Sequence, residues 1–328
     1  NANMYNSELK SRFIQETYSN KGRRNVAEVM FKTLEPLEQE YGSDICTIPE
    51  DKVRPILSKI IPLRVNSQRT RISILKDYVR WCMNNNVPNA CDAILNLKDV
   101  GIARVKEQMV ANPQHLKRYL DIIFDSDTEQ TIDSTRRSFY WLAYSGVQME
   151  DVVKIRCSDV DTDRMVITFD GNEYPYCREA AQDIKNCALL KEFRFIHPAA
   201  NKPVWRERAK GDFLLRGYRD RDAVSLGALR TYVSKRTKHP RHPEKIREDD
   251  VGLNLDLSYF RVWLSGVFYR VYEAERYGVS PDFTQIAQDE VKRKGLDKGI
   301  SKSELELKIK RIANQYLYDY ERWKSVYS

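Results

Sequence analysis

The chain has 328 residues, 41% of them hydrophobic and 31% charged, and a formal net charge of +8. That length suits two ordinary domains, and the composition suits a globular chain with a sizeable core. No apolar run reaches the ~18 residues that a membrane span requires, and the N-terminus lacks the apolar stretch of a signal peptide.

Six cysteines, at 46, 82, 91, 157, 177 and 187, form no CxxC pair, and the four histidines complete no ligand set. A zinc site is therefore not expected, nor any other cofactor, and the thiols read as reduced in a cytoplasmic protein. Residues 201–248 hold 14 Lys/Arg against 6 Asp/Glu, a surplus of eight that equals the excess of the whole chain. Clustered cations suit a polyanion, because each phosphate they neutralise releases a counterion. A solvated basic loop is the alternative.

In chain order, Asn1, Ala2 and Asn3 precede Met4 and are left out of the fold reading. Helices are expected over 23–41, 48–61 (with Pro55 near its first turn) and 66–86. In the last of these, Ser67 is the expected N-cap. Ile72, Leu75, Val79 and Cys82 fall on one face, and Arg69, Arg71, Lys76 and Arg80 fall mostly elsewhere, as a solvated or DNA-facing side. Residues 97–113, ending at Asn112-Pro113, read as a linker. Further helices follow at about 113–125 and 130–145. RMVITFDGNEYPYC (164–177) alternates apolar residues around Asp170-Gly171-Asn172 and predicts a β-hairpin. The stretch 179–328 reads mainly as helix with polar connections. Its last segment carries Leu305, Ile309, Ile312, Tyr316 and Trp323 as one apolar stripe, which packs on its own domain or docks on a neighbouring subunit.

Two segments together resemble the tyrosine recombinase (phage integrase) family. The basic-apolar helix at 66–86 looks like the family's core-binding domain. SGVQMEDVVKIRCSDVD (145–161) is similar to the stretch around its first catalytic arginine, with Gly146, Val147, Asp151, Val152, Ile155, Ser158 and Asp159 in register. The resemblance implies a mainly α, two-domain clamp with a small β-hairpin. It places a helical core-binding domain at 4–105 and a catalytic-like domain at 106–328. It also implies tyrosine attack on a phosphodiester, with two arginines, a hairpin lysine and a histidine stabilising or protonating the phosphate oxygens.

Here the pattern departs from the family. Gln148 stands in the first arginine slot and can donate a hydrogen bond but brings no charge. There is no lysine between Lys154 and Lys185. The HxxR motif reads Ser258 to Arg261, so the arginine remains without the histidine. Tyr316, Tyr318 and Tyr320 are the nucleophile candidates, 58 to 62 residues past Ser258, longer than the family's usual interval. Catalytic parts act as a unit, so the expectation is a recombinase fold without strand cleavage and not an enzyme. A divergent active recombinase and a recombination accessory protein are the alternatives.

The resemblance then leaves binding to double-stranded DNA. Arg69, Arg71, Lys76 and Arg80 would lie on one jaw, and Arg230, Lys235, Arg236, Lys238 and Arg241 on the other. Arg206, Arg208 and Lys210 belong to the same basic region, and Arg261 contacts phosphate or, alternatively, pairs with a buried carboxylate. The chain also resembles a group of master lysogeny repressors of SPβ-like Bacillus prophages. That implies a transcriptional repressor on operator sites in phage promoters, in the nucleoid of a bacterial host, as a monomer or dimer, with a peptide or protein antirepressor as a possible partner.

Overall fold

A computed structural model of the chain describes residues 3–62, 64–97, 105, 108–127, 129–196, 199–217, 224–247 and 257–327. Mainly helical, it carries two small antiparallel sheets and falls into two compact units, residues 1–106 with 282–328, and residues 107–281. Most of the expected 97–113 linker lies outside the described residues.

The first unit opens with α1 (Ser7–Thr17), α2 (Lys21–Tyr41), α3 (Glu50–Ile60) and α4 (Val65–Asn84). Their apolar faces meet around Phe13, Phe31 and Tyr78, whose rings pack edge to face at 4.9–6.1 Å, an arrangement that aromatic quadrupoles favour. The α4 helix begins two residues before the expected cap: Arg64 is the N-cap, with no side-chain cap bond, and Ser67 lies inside. Pro55 also lies deeper than expected, six residues into α3 rather than in its first turn.

In the second unit, α5 (Pro113–Ile123) starts at the expected Asn112-Pro113 boundary, where the Asn112 side chain accepts from the His115 N–H at 2.8 Å. The next helix, α6 (Asp133–Tyr144), is buried on nearly every side. Such a helix must satisfy its own polar groups. Arg137 donates to Asp183 at 2.9 Å and to Asp121 at 2.7 Å, and Trp141 Nε1 donates to Asp183 at 2.7 Å. Asp183 lies on α7 (Arg178–Leu189), which packs on α6.

Between α6 and α7 lies the expected hairpin. Strands β1 (Val160–Asp161), β2 (Val166–Phe169) and β3 (Asn172–Pro175) pair in that order, with Phe169 opposite Asn172. The two linking residues, Asp170 (φ 48°) and Gly171 (φ 76°), are both left-handed, the backbone that a tight two-residue hairpin demands. The stretch read mainly as helix contains a second sheet, β4 (Glu192–Ile196) with β5 (Pro203–Glu207). All five β5 residues are exposed, so no buried face left an apolar period in its sequence.

After the sheet come α8 (Leu226–Lys238) and α9 (Tyr259–Arg276). The α9 helix meets the end of α6 at Gly266, where an added Cβ would lie 2.0 Å from the Tyr144 carbonyl oxygen. Only glycine permits that approach. The final helices, α10 (Thr284–Arg293) and α11 (Lys302–Tyr327), cluster with the first unit, whereas sequence grouped them with the second. There the Arg64 Nε contacts the Asp319 carboxylate at 2.7 Å, and the Val65 N–H donates to Asp319 at 3.2 Å.

Candidate nucleic-acid interface

The turn after α6 and the first turn of α9 are locked together. Tyr259 donates its hydroxyl to the Val147 carbonyl at 2.7 Å, and Trp263 Nε1 donates to the Gly146 carbonyl at 3.1 Å. Gly146 has a φ of 100°, which brings the chain sharply round. The Gln148 carbonyl then accepts from the Asp151 and Val152 N–H groups at 3.0 and 3.2 Å. The two slots singled out in the sequence, Gln148 and Ser258–Arg261, thus share one corner of the second unit. Ser258 is the N-cap of α9 and accepts from the Arg261 N–H at 3.2 Å. Serine is among the strongest residues for that position, so its presence has a local structural reason.

Beside this corner runs an open groove of about 860 Å³, lined by Met149, Ser258 and the α8 residues Arg230, Ser234, Lys235 and Lys238, among others. Positions 231, 234, 235 and 238 follow helical spacing, so one face of α8 supplies the wall. Arg230, Lys235 and Lys238 are exposed. Thr231 and His239, not singled out in the sequence, line the same groove. The spacing of Thr231 relative to Lys235 and Lys238 could have revealed it.

The other basic positions separate by what they touch. In the first unit, Arg69 is exposed with its guanidinium 5.5 Å from the Tyr318 ring. Arg80 is exposed and lies 3.7 Å from Asp77. Lys76 is half-buried, as is Arg71, which donates to the Ile60 carbonyl at 2.8 Å. In the second unit, Arg206 and Lys210 are exposed, Arg206 lying 4.2 Å from the Phe195 ring. Arg236 donates to the Tyr232 hydroxyl at 3.1 Å. Arg241 holds Asp133 at 2.7 Å. Burial works against the Arg241 cation, but Asp133, Tyr232 and Asp125 outweigh it and raise its pKa. Arg261 is half-buried at the start of α9.

Arg208 is a correction. It is 4% exposed and donates to the Cys187, Leu190 and Leu214 carbonyls, so it ties loops together inside the unit and cannot reach DNA. Two of the three tyrosine candidates are also structural. Tyr316 is 1% exposed and donates to Glu290 at 2.7 Å, and Tyr320 is fully buried. Burial pushes the Tyr316 phenol up to about 12, with the Arg64 cation opposing it and Glu290 adding to it. A protonated, covered phenol is a poor nucleophile. Tyr318 is 42% exposed.

Among the described residues no group of His, Cys, Asp or Glu is placed to hold a metal ion, and no helix is long and apolar enough to cross a membrane.

Residues 4–84 match the family model described as "MrpR, N-terminal core-binding domain". No curated protein matches the chain. Among solved structures, "Crystal structure of XerA recombinase" aligns at 13% identity and a TM-score of 0.34, over 83% of this chain and 85% of that one. "Integrase from mycobacterium phage Brujita" aligns at 12% identity and a TM-score of 0.31, over 97% of this chain and 91% of that one. Overlaps that weak carry no argument about residues or activity. The weight falls on the family match, and residues 4–84 resemble the N-terminal core-binding domain of MrpR.

Proposed function

We propose that the chain is a sequence-selective double-stranded DNA-binding protein that does not cut its substrate, and that it acts as a transcriptional repressor on phage promoters. One juxtaposition carries the reading. The corner where the resemblance implies two arginines, a lysine and a histidine keeps Arg261 but holds Gln148 in the first arginine slot and a helix-capping Ser258 in the histidine slot. The groove beside it keeps Arg230, Lys235 and Lys238. Removing one transition-state donor costs on the order of 10²–10³ in rate, whereas phosphate contacts that position a duplex need only cations. Binding therefore survives where cleavage does not. The α8 face supplies phosphate contacts in the second unit, and Arg69 and Arg80 supply them in the first.

The test is a mobility shift on fragments of the source phage or host genome, run with and without SDS. Discrete bands on a few promoter fragments that vanish in SDS are expected. Affinity should fall with salt at a log–log slope of about −0.9 per neutralised phosphate. Replacing Arg230, Lys235 and Lys238 together by Ala should flatten that slope by up to about three contacts' worth. A flat salt response in the unmodified chain would overturn the groove assignment.

The exposure of Tyr318 favours a second reading, a divergent recombinase that attacks with that residue. An SDS-resistant adduct lost in Tyr318→Phe would establish it and remove the first.

A further inference from the structure

The α8 helix has a second working face. Opposite the groove, Ser225, Ala228, Leu229 and Tyr232 line a separate cavity of about 530 Å³, walled by α6 and the β4–β5 sheet. Cross-strand pairing explains the sheet's side of it: Phe193 lies opposite Arg206, so both face the cavity, with Phe195 on the same side of β4. Its volume falls in the range that encloses a small organic ligand.

The lining is unusual in charge. Among the described residues it includes four arginines, Arg136, Arg206, Arg216 and Arg241, and no carboxylate. Asp133 lies behind two of them, 3.1 Å from Arg136 and 2.7 Å from Arg241. Asp133 thus faces two guanidiniums, with Asp125 also 3.7 Å from Arg241, and Arg206 and Arg216 bring the described arginines to four against these two carboxylates. Burial lowers the Arg136 pKa; Tyr232 and Asp133 oppose the drop, and the neighbouring Arg241 adds to it. The Arg216 Nε is buried with no hydrogen-bond acceptor. A cavity this rich in cations is completed by an anion.

The shape of that anion follows from the walls. Phe193, Phe195 and Tyr232 line the cavity, with Arg136 stacked on Tyr232 at 3.5 Å from its centroid and Arg206 4.2 Å from that of Phe195, so a flat ring would extend guanidinium–aromatic stacks already there. Flat rings suit such a slot. The N-cap of α8, Ser225, opens on the same space, and the positive end of a helix of this length favours a phosphate beside the guanidinium forks. A bare duplex backbone would use the cations and leave the aromatic walls empty.

We propose that this cavity binds a small phosphorylated aromatic molecule of mononucleotide size, and that its occupancy alters DNA affinity through α8. The coupling follows from the helix itself. Residues 228, 229 and 232 touch the ligand cavity, and residues 230, 231, 234, 235 and 238 touch the groove. A shift or tightening of α8 at one face is felt at the other, which is the contiguous element that coupling between two sites requires. The coupling clause rests on the DNA-binding reading; the ligand site does not.

Calorimetry on the full chain without DNA tests the site, with AMP, GMP, CMP and UMP as probes and adenosine and inorganic phosphate as controls. At least one nucleotide should bind saturably, and at least about tenfold more tightly than either control, because each control keeps only half of the recognition. Ala228→Trp fills the cavity from an exposed helix position and should abolish binding while leaving the fold and the DNA affinity without ligand unchanged. Arg206→Ala should weaken nucleotide binding at least about tenfold. Absence of saturable binding by all four nucleotides at millimolar concentration overturns the site, as does binding that Ala228→Trp leaves intact. Nucleotide binding in a chain that shifts no DNA would sink the proposed function and leave the site standing. Promoter binding that the bound nucleotide does not change would sink the coupling alone.

Discussion

One centre in each unit shares buried charge in the opposite sense from the other. In the first, one cation sits between two carboxylates: Lys10 Nζ is 2.6 Å from Glu38 and 3.6 Å from Asp44, with exposures of 0, 0 and 4%. Tyr78 donates to Asp44, and the Ile45 N–H to Glu38. The cluster closes on itself beneath the rings of Phe31 and Tyr78. In the second unit one carboxylate, Asp133, sits between two guanidiniums whose side chains are 13% and 30% exposed. That centre opens outward, and further arginines line the space beyond it. The first arrangement has nothing left to offer a ligand and fixes the fold. The second leaves its guanidiniums partly exposed at a surface, where they have donors left to offer a ligand.

Breaking each centre at its shared residue should separate the two roles. Lys10→Met removes the cation from a sealed site and strands two carboxylates. The expected loss is about 3–5 kcal/mol at pH 8, read by urea denaturation, because neither acid can reach water. Asp133→Asn should cost less, about 1–3 kcal/mol, since Arg136 and Arg241 can turn to solvent and the amide oxygen still accepts one bond. The Asp125 N–H, now at 2.9 Å from Asp133, can share that oxygen. If Asp133→Asn were the more damaging change, the second centre would be a structural lock like the first, and the reading of its arginines as outward-acting would fail.

Sequence reached these centres unevenly. The α4, α5 and α6 helices and the β2–β3 hairpin were legible, because helical periodicity, Asn112-Pro113 and Asp170-Gly171 act over a few residues. The Gln148 and Ser258 departures from the family pattern were legible too, since they are residue identities in a register. The Asp133 centre was not: Arg241 reaches Asp133 across 108 residues of chain, and no local pattern records that. Arg208 looked like its basic neighbours, yet it is drawn inward to four carbonyls. The apolar stripe of α11 announced an amphipathic helix. It could not say that α4 and α10 would cover it, because a stripe specifies burial and not the partner surface.

The smallest effect concerns pH and belongs to the first unit. Burial raises the Glu38 carboxyl from 4.5 to about 7; the Lys10 charge opposes this and Asp44 reinforces it. In the unfolded chain the proton leaves near 4.5, whereas in the folded chain it stays until about 7. Between those values the folded state holds more protons than the unfolded one, so the contribution of Glu38 to stability falls as pH rises through that window. The same proton softens Lys10→Met at low pH, because Glu38 can then neutralise itself. Denaturation midpoints across pH 4.5–7 should therefore carry a descending component that Glu38→Gln removes. The cost of Lys10→Met should shrink in parallel as pH drops. A Lys10→Met cost that is flat with pH would mean the carboxylate stays charged, and that the first centre is a plain ion pair rather than a proton-sharing one.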